Sequence, residues 1–237
     1  MNVLITGNSG GLGLGFTEVL LERNAIIWGM SRRGCPLADD SQDGLRDRQQ
    51  DLGNLNELEE GLERLLSDCQ RLDLVILNAG MLGRIQEIST TVVHDLEHIM
   101  RVNVWANKII LDWLIEQMLP VGRVVAISSG AAVNMNYGWG GYSLSKAALN
   151  NLITLYAEEM PNTHFLSLAP GLVDTDMQEY LCGEVDSAEF PSVQKLRDAR
   201  GTDNMPGPRQ AAENILDRLD ELAEKYDSGT FLDVRNL

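Results

Sequence analysis

The sequence predicts an α/β protein, a doubly wound parallel sheet of about seven strands with helices on both faces. Three observations carry that reading. Short, continuous apolar runs alternate with segments of helical periodicity along the chain; the first run breaks into a glycine cluster that opens the first helix; and no linker, internal repeat or low-complexity tract interrupts the series. Strands apolar throughout are buried on both faces, and parallel strands need crossover connections that are usually helical. With 237 residues, 44% of them hydrophobic, the chain can form one large core, so residues 1–237 are expected to be a single domain.

Residues 2–6 (NVLIT) form a short β-branched run that ends in the cluster Gly7, Gly10, Gly11, Gly13 and Gly15, after which Phe16, Val19 and Leu20 recur at helical spacing. That is strand, tight turn, helix. AIIWGM (25–30) is the second strand, followed by a polar stretch from Ser31 to Gln50 and an amphipathic helix with Leu55, Leu58, Leu62, Leu65 and Leu66 on one face. LDLVIL (72–77), GRVVAIS (122–128), THFLSLA (163–169) and GTFLDV (229–234) read as further strands, separated by helical segments near 91–118, 142–159 and 208–226. The longest irregular stretch, 171–208, is rich in glycine and proline; it lies where open α/β sheets bind ligands and is expected to act as a substrate lid.

Composition excludes several classes of function. Nineteen Lys and Arg against thirty-five Asp and Glu give a net charge of −16, a field that opposes a nucleic-acid partner or an anionic-membrane anchor. Cys35, Cys69 and Cys182 lie far apart without a CxxC, so neither a disulfide framework nor a metal site is expected. His94 and His98 share a helical face, but the sequence supplies no third ligand. The N-terminal apolar run is too short for a signal peptide and nothing approaches a membrane span, so a cytoplasmic location is expected.

Chemistry enters through three groups of residues. In TGNSGGLG, glycines between a first strand and a first helix let the backbone turn sharply and approach a pyrophosphate that the helix N-terminus attracts. The string reads equally as TGxxxGxG through Gly7, Gly11 and Gly13 and as TGxxGxxG through Gly7, Gly10 and Gly13. At the end of the second strand, where a dinucleotide fold meets the adenosine ribose, stand Ser31, Arg32 and Arg33 in place of a carboxylate. Two guanidiniums there favour the 2′-phosphate of NADP(H) over NAD(H). Tyr142 and Lys146 are four apart at a helix start, so the ammonium can sit near the phenol and lower its pKa from ~10 toward neutrality. Ser128 and Ser129, at the end of a strand, could bond a substrate carbonyl.

Together these landmarks resemble the short-chain dehydrogenase/reductase family in its compact single-domain form. The likeness rests on TGNSGGLG, Asp51-Leu52, LNAG at 77–80, Asn103, ISS at 127–129, YSLSK at 142–146 and PGLVDT at 170–175, in family order along nearly the whole chain. The resemblance implies an NADP(H)-dependent oxidoreductase that passes hydride between nicotinamide and a carbonyl or alcohol. In it Tyr142 is the general acid, Ser129 orients the carbonyl oxygen, Lys146 holds the ribose and depresses the Tyr142 pKa, and Asn103 serves a proton relay. It also implies a cofactor site made of Gly7, Asn8, Ser9, Gly11, Leu12 and Gly13 in the loop, with Ser31, Arg32 and Arg33 at the ribose. Asp51 and Leu52 would meet the adenine, Asn78, Ala79 and Gly80 the floor, and Pro170, Gly171, Val173 and Thr175 the carboxamide side.

The loop departs from many NADP-preferring relatives in having Ser9 and Gly10 where a second basic residue stands, so the phosphate is expected to rest on Arg32 and Arg33 alone. The extended subgroup of epimerases adds a C-terminal substrate domain, for which this chain is too short. A homodimer or homotetramer is expected through the helices near 102–118 and 142–159, the second being more apolar at Leu149, Leu152, Ile153 and Tyr156 than one buried face requires. Trp139, Met135, Met177, Tyr180, Leu181 and Phe190 are candidates for an apolar substrate pocket. The competing reading is a catalytically idle dinucleotide-binding regulatory protein of the same fold.

Overall fold

The computed structural model describes residues 1–39 and 43–237. Seven strands, β1 (Asn2–Thr6), β2 (Ile26–Ser31), β3 (Leu45–Gln49), β4 (Leu72–Leu77), β5 (Val121–Ile127), β6 (His164–Ala169) and β7 (Thr230–Asp233), form one sheet in the order 3-2-1-4-5-6-7. Every pairing is parallel. Helix α1 (Gly11–Glu22) follows β1, α2 (Leu58–Leu65) follows β3, and α3 (Val93–Met100) and α4 (Ala106–Glu116) follow β4. Beyond β5 come α5 (Ala131–Asn134) and the long α6 (Gly140–Glu159); beyond β6 come α7 (Asp176–Gly183), α8 (Ser192–Ala199), α9 (Pro208–Leu216) and α10 (Leu219–Lys225).

Because successive strand residues point to opposite faces, each strand feeds two cores. On one face Val3, Ile5, Ile76 and Val125 meet Phe16, Leu20 and Ile215 from α1 and α9; on the other Leu4, Val75, Val124 and Phe165 meet Leu62, Ile110, Leu114 and Ile153 from α2, α4 and α6. Strand order reverses between β1 and β4, so the connections leave in opposite directions and open a crevice at the carboxyl ends of the strands, where such sheets take ligands.

Three expectations change. The polar stretch 31–50 contains a strand: β3 lies at the sheet edge, where Arg46, Asp47 and Arg48 stay half-buried, so it lacks the apolar run that marks the interior strands (its residues 40–42 lie outside the described residues). The helical segment near 91–118 is not one helix, since a π-helical turn at Arg101–Trp105 separates α3 from α4. The segment 171–208 is not a structureless loop: α7 and α8 bury Leu181, Val185, Phe190, Val193 and Leu196 in a small third core over the carboxyl edge, together with Tyr142. Among the described residues no helix is long and apolar enough to cross a membrane, and the three cysteines are free thiols.

Candidate active site

A cavity of about 1200 Å³ occupies the crevice and runs from the β1 turn and the end of β2 to the start of α6 and the roof formed by α7 and α8. At its floor Gly7 adopts a left-handed backbone (φ +75°) and donates its N–H to Met30 O at 2.8 Å; a Cβ there would stand 2.8 Å from Ala79 Cα. A Cβ on Gly13 would fall on the Gly7 carbonyl oxygen, and Gly11 (φ +53°) would press its own against the Thr175 methyl at 3.3 Å. Gly10 is extended and only the flexible Arg33 guanidinium lies close, so the backbone demands fall on Gly7, Gly11 and Gly13. Gly7, Gly11 and Leu12 line the cavity where the N-terminus of α1 begins, a setting suited to a phosphate.

Asn78 clamps the floor. Its Nδ2 donates to the carbonyls of Thr6 (3.0 Å) and Gly7 (3.2 Å), while Thr6 Oγ1 accepts from the main chain of Asn78 and Ala79. At the end of β2, Ser31, Arg32 and Arg33 line the cavity. The Ser31 hydroxyl is buried without a partner, and among the described residues neither guanidinium has an ion-pair partner. An orphaned hydroxyl beside two uncommitted cations suits an added phosphate, so the residues present fit a dinucleotide bearing one. Asp51 and Leu52 also line this end, with Asp51 Oδ1 accepting from Gly53 N at 2.9 Å.

At the other end β5 delivers two serines to different tasks. Both serines line the cavity, but Ser128 is buried with its hydroxyl donating to Asn150 Oδ1 at 2.6 Å, whereas Ser129 Oγ accepts from Ala131 N at 3.1 Å and acts on the Tyr142 phenol. Lys146, one turn along α6, is 3% exposed; its ammonium donates to Ile127 O at 2.7 Å and lies 5.7 Å from the Tyr142 ring centroid. Burial pushes that ammonium down to about 8. The expected depression of the Tyr142 pKa is not seen: burial raises the phenol, and the Ser129 hydrogen bond opposes it without prevailing. Pro170, Gly171 (φ +76°), Val173 and Thr175 close the far wall; Thr175 sits at the N-cap of α7, where its side chain makes no capping bond.

Three expected site residues lie behind the lining. Asn8 is fully buried and donates to Asp47 Oδ1 at 2.7 Å, tying the glycine loop to β3; Gly13 supports Gly7 from below. Asn103, in the π turn, is fully buried: its carboxamide pairs with both main-chain groups of Met81 (2.8 and 2.9 Å) and donates to Ser145 Oγ at 2.9 Å. Of the expected apolar pocket, Trp139, Met177 and Leu181 line the cavity. Met135 is 73% exposed and Phe190 stacks on Tyr137, neither of them in the lining, nor is Tyr180. The sequence reading missed Arg235, Lys195, Gln178 and His98, which do line it; none belongs to a motif, and Arg235 is brought in only by the final strand. Among the described residues no His, Cys, Asp and Glu cluster fits a metal ion.

The doubly wound sheet with its glycine floor is a Rossmann-like α/β fold, and the Ser129–Tyr142–Lys146 cluster opens into its crevice. The chain belongs to the short chain dehydrogenase family, whose model matches residues 1–184. It is 30% identical over 244 residues to a benzil reductase ((S)-benzoin forming) of Bacillus subtilis, covering 97% of this chain and 98% of that one. It is 32% identical over 196 residues to the benzil reductase IRC24 of Saccharomyces cerevisiae, covering 75% and 73%. Among solved structures, ElxO with NADP bound shares the fold at a TM-score of 0.78 and 20% identity, covering 98% and 96%.

Proposed function

We propose that the protein is an NADP(H)-dependent carbonyl reductase acting on small, largely apolar ketones, aromatic 1,2-diketones among them. The observation that carries this is the Ser129–Tyr142–Lys146 cluster opening into the same cavity as Ser31, Arg32 and Arg33. Arg32 and Arg33 would hold the 2′-phosphate, the α1 N-terminus the pyrophosphate, and Asn78 to Gly80 with Thr175 the nicotinamide half. The dinucleotide supplies the hydride when bound.

The chain's own groups then manage one proton. Ser129 donates to the substrate carbonyl oxygen, and Tyr142, kept protonated by burial, delivers its proton to that oxygen as negative charge develops. Lys146, fixed by Ile127 O, places a cation beneath the phenol and limits the cost of the phenolate left behind. Asn103 acts at one remove, holding Met81 and with it the turn at Gly80; a side chain at Gly80 would meet Lys146 Nζ at 3.3 Å. The benzil reductase relatives at 30% and 32% identity support the substrate class. Following NADPH oxidation with benzil, simple ketones, aldehydes, quinones and 3-oxoacyl thioesters tests it; tight NADPH binding without turnover on any of them would favour the idle regulatory protein instead.

A cytoplasmic, self-associating enzyme is part of this proposal, with residues 1–237 working as one domain. Leu149, Ile153 and Tyr156 are core residues and cannot supply the contact, so it falls to the exposed Trp105, Leu144 and Leu155 of the same helical layer. Sedimentation mass checks this. Residues 171–208 would act as a folded lid whose amides gain hydrogen-exchange protection when cofactor and ketone bind.

A further inference from the structure

β7 ends at Asp233, and the last residues turn back toward the cavity as a short 3₁₀ turn, Val234–Asn236. Asp233 Oδ1 accepts from the main-chain N–H (3.1 Å) and Nε (2.8 Å) of Arg235, and its other oxygen from Nη2. The carboxylate is 9% exposed and lies below its ordinary pKa because of that guanidinium. Arg235 is thus aimed rather than floppy. It passes between two turns: a Cβ on Gly130 would stand 2.6 Å from Nη2, and one on Gly171 would stand 3.5 Å from Cγ. Asn134 Nδ2 reaches the same spot, 3.1 Å from that Gly130 position, and its carboxamide makes no hydrogen bond among the described residues. Arg235, Asn134 and Gly130 all line the cavity.

A guanidinium carries five N–H donors, and Asp233 takes two from the side chain, so three remain for a ligand. Gly130 directly follows Ser129, so these donors lie against the turn that begins immediately after the group proposed to receive the carbonyl oxygen. We propose that Arg235, held by Asp233 and seconded by Asn134, is a substrate-binding residue that selects carbonyl compounds with a second oxygen acceptor on the adjacent carbon. The reacting oxygen turns to Ser129 and Tyr142 and the neighbouring oxygen to Arg235. This rests on the reading of Ser129 and Tyr142 as the carbonyl end of the site. Half of the Arg235 side chain remains exposed, which leaves room for a ligand without unpairing Asp233.

The test uses the matched pair 1-phenyl-1,2-propanedione and propiophenone, which share a skeleton and differ in the second oxygen. Calorimetric titration of the full chain, alone and saturated with NADP⁺, should show the dione binding about tenfold or more tighter, as for a hydrogen bond to a charged group. Arg235→Ala should remove that preference while leaving propiophenone and NADPH affinities within about twofold; in turnover the loss should appear in KM with kcat nearly kept. Arg235→Lys, which retains charge but not the fork, should restore part of the preference and serves if the alanine variant does not fold. Equal weakening of both ligands, or no preference in the wild type, overturns the assignment. A binding preference that Arg235→Ala abolishes in a protein without turnover would uphold Arg235 and sink the reductase reading instead.

Discussion

The two ends of the cavity are built from different physics. At the ribose end, Arg32 and Arg33 stand exposed on a loop, their charges in water; at the reaction end, Lys146 and Tyr142 are 3% and 8% exposed, in a protein whose net charge is −16. A pair of charges 4 Å apart interacts by roughly 1 kcal/mol in water and about 4 kcal/mol at an effective dielectric of 20. The proposed function thus places recognition where charge is easily hydrated and screened, and chemistry where burial itself sets proton affinity. On that proposal, the ribose end would discriminate between cofactors without perturbing the tyrosine, and the tyrosine would be tuned without a change in cofactor choice.

If that division holds, Tyr142→Phe gives the largest effect: reduction should fall by roughly 10³-fold or more while the NADPH dissociation constant stays within about twofold. Ser129→Ala should cost on the order of 10² in kcat. Its neighbour supplies the control, since Ser128→Ala, which loses the bond to Asn150, should lower stability by about 1 kcal/mol and leave rate nearly unchanged. A rate loss shared by both serines would mean that the structure assigns them wrongly.

Next in size is the ribose end. Arg32→Ala with Arg33→Ala should weaken NADPH by roughly 10- to 100-fold and NADH hardly at all, and the wild-type preference should shrink as salt rises through a Debye length of about 10 Å at 0.1 M. Fluorescence titration with both cofactors at two ionic strengths measures this. A preference indifferent to salt would place the phosphate in a buried site and end the contrast.

The pH dependence sharpens the reaction end. Lys146 is held down to about 8, below its ordinary 10.5, so below pH 8 both native and unfolded chains carry the charge and the native state bears its full burial cost. Between about pH 8 and 10.5 the unfolded chain binds the extra proton, so this group's contribution to stability improves as pH rises. In denaturant titrations, the stability of wild type relative to Lys146→Met should accordingly increase across that window. A difference that stays flat from pH 7 to 10 would mean that Lys146 is hydrated. The smallest effect expected is Gly10→Ala, within about twofold in cofactor affinity, against a severe loss for Gly13→Ala, whose Cβ would overlap the Gly7 carbonyl.

The sequence carried the interior strands, because each is an uninterrupted apolar run, and its motif residues gather for the most part around one cavity, because their spacing is set by one turn or one helix. What it hid was set by tertiary position. Ser128 and Ser129 are indistinguishable as letters and are separated only by the direction each takes at the end of β5. The burial that outweighs Ser129 at Tyr142 comes in large part from a roof that includes residues 181–196, far along the chain. Asn103 has the side chain of a catalytic group and the contacts of a structural one. Arg235 becomes part of the cavity only because β7 closes the sheet next to β6.

β3 has a further consequence for how the folded chains coexist. As the outermost strand beyond β2 it ends the sheet with main-chain groups that a neighbouring molecule could adopt as a template. Arg46 lies over the Trp28 ring, 5.2 Å from its centroid, and pairs with Asp68, while Asp47 and Arg48 follow it, so an incoming strand would have to cross a row of alternating charge. The same polarity that makes LRDRQ look like loop in the sequence guards the open edge against polymerisation into continuous β-structure, and apolar β-branched residues at 46 and 48 would turn that border into an invitation to aggregate.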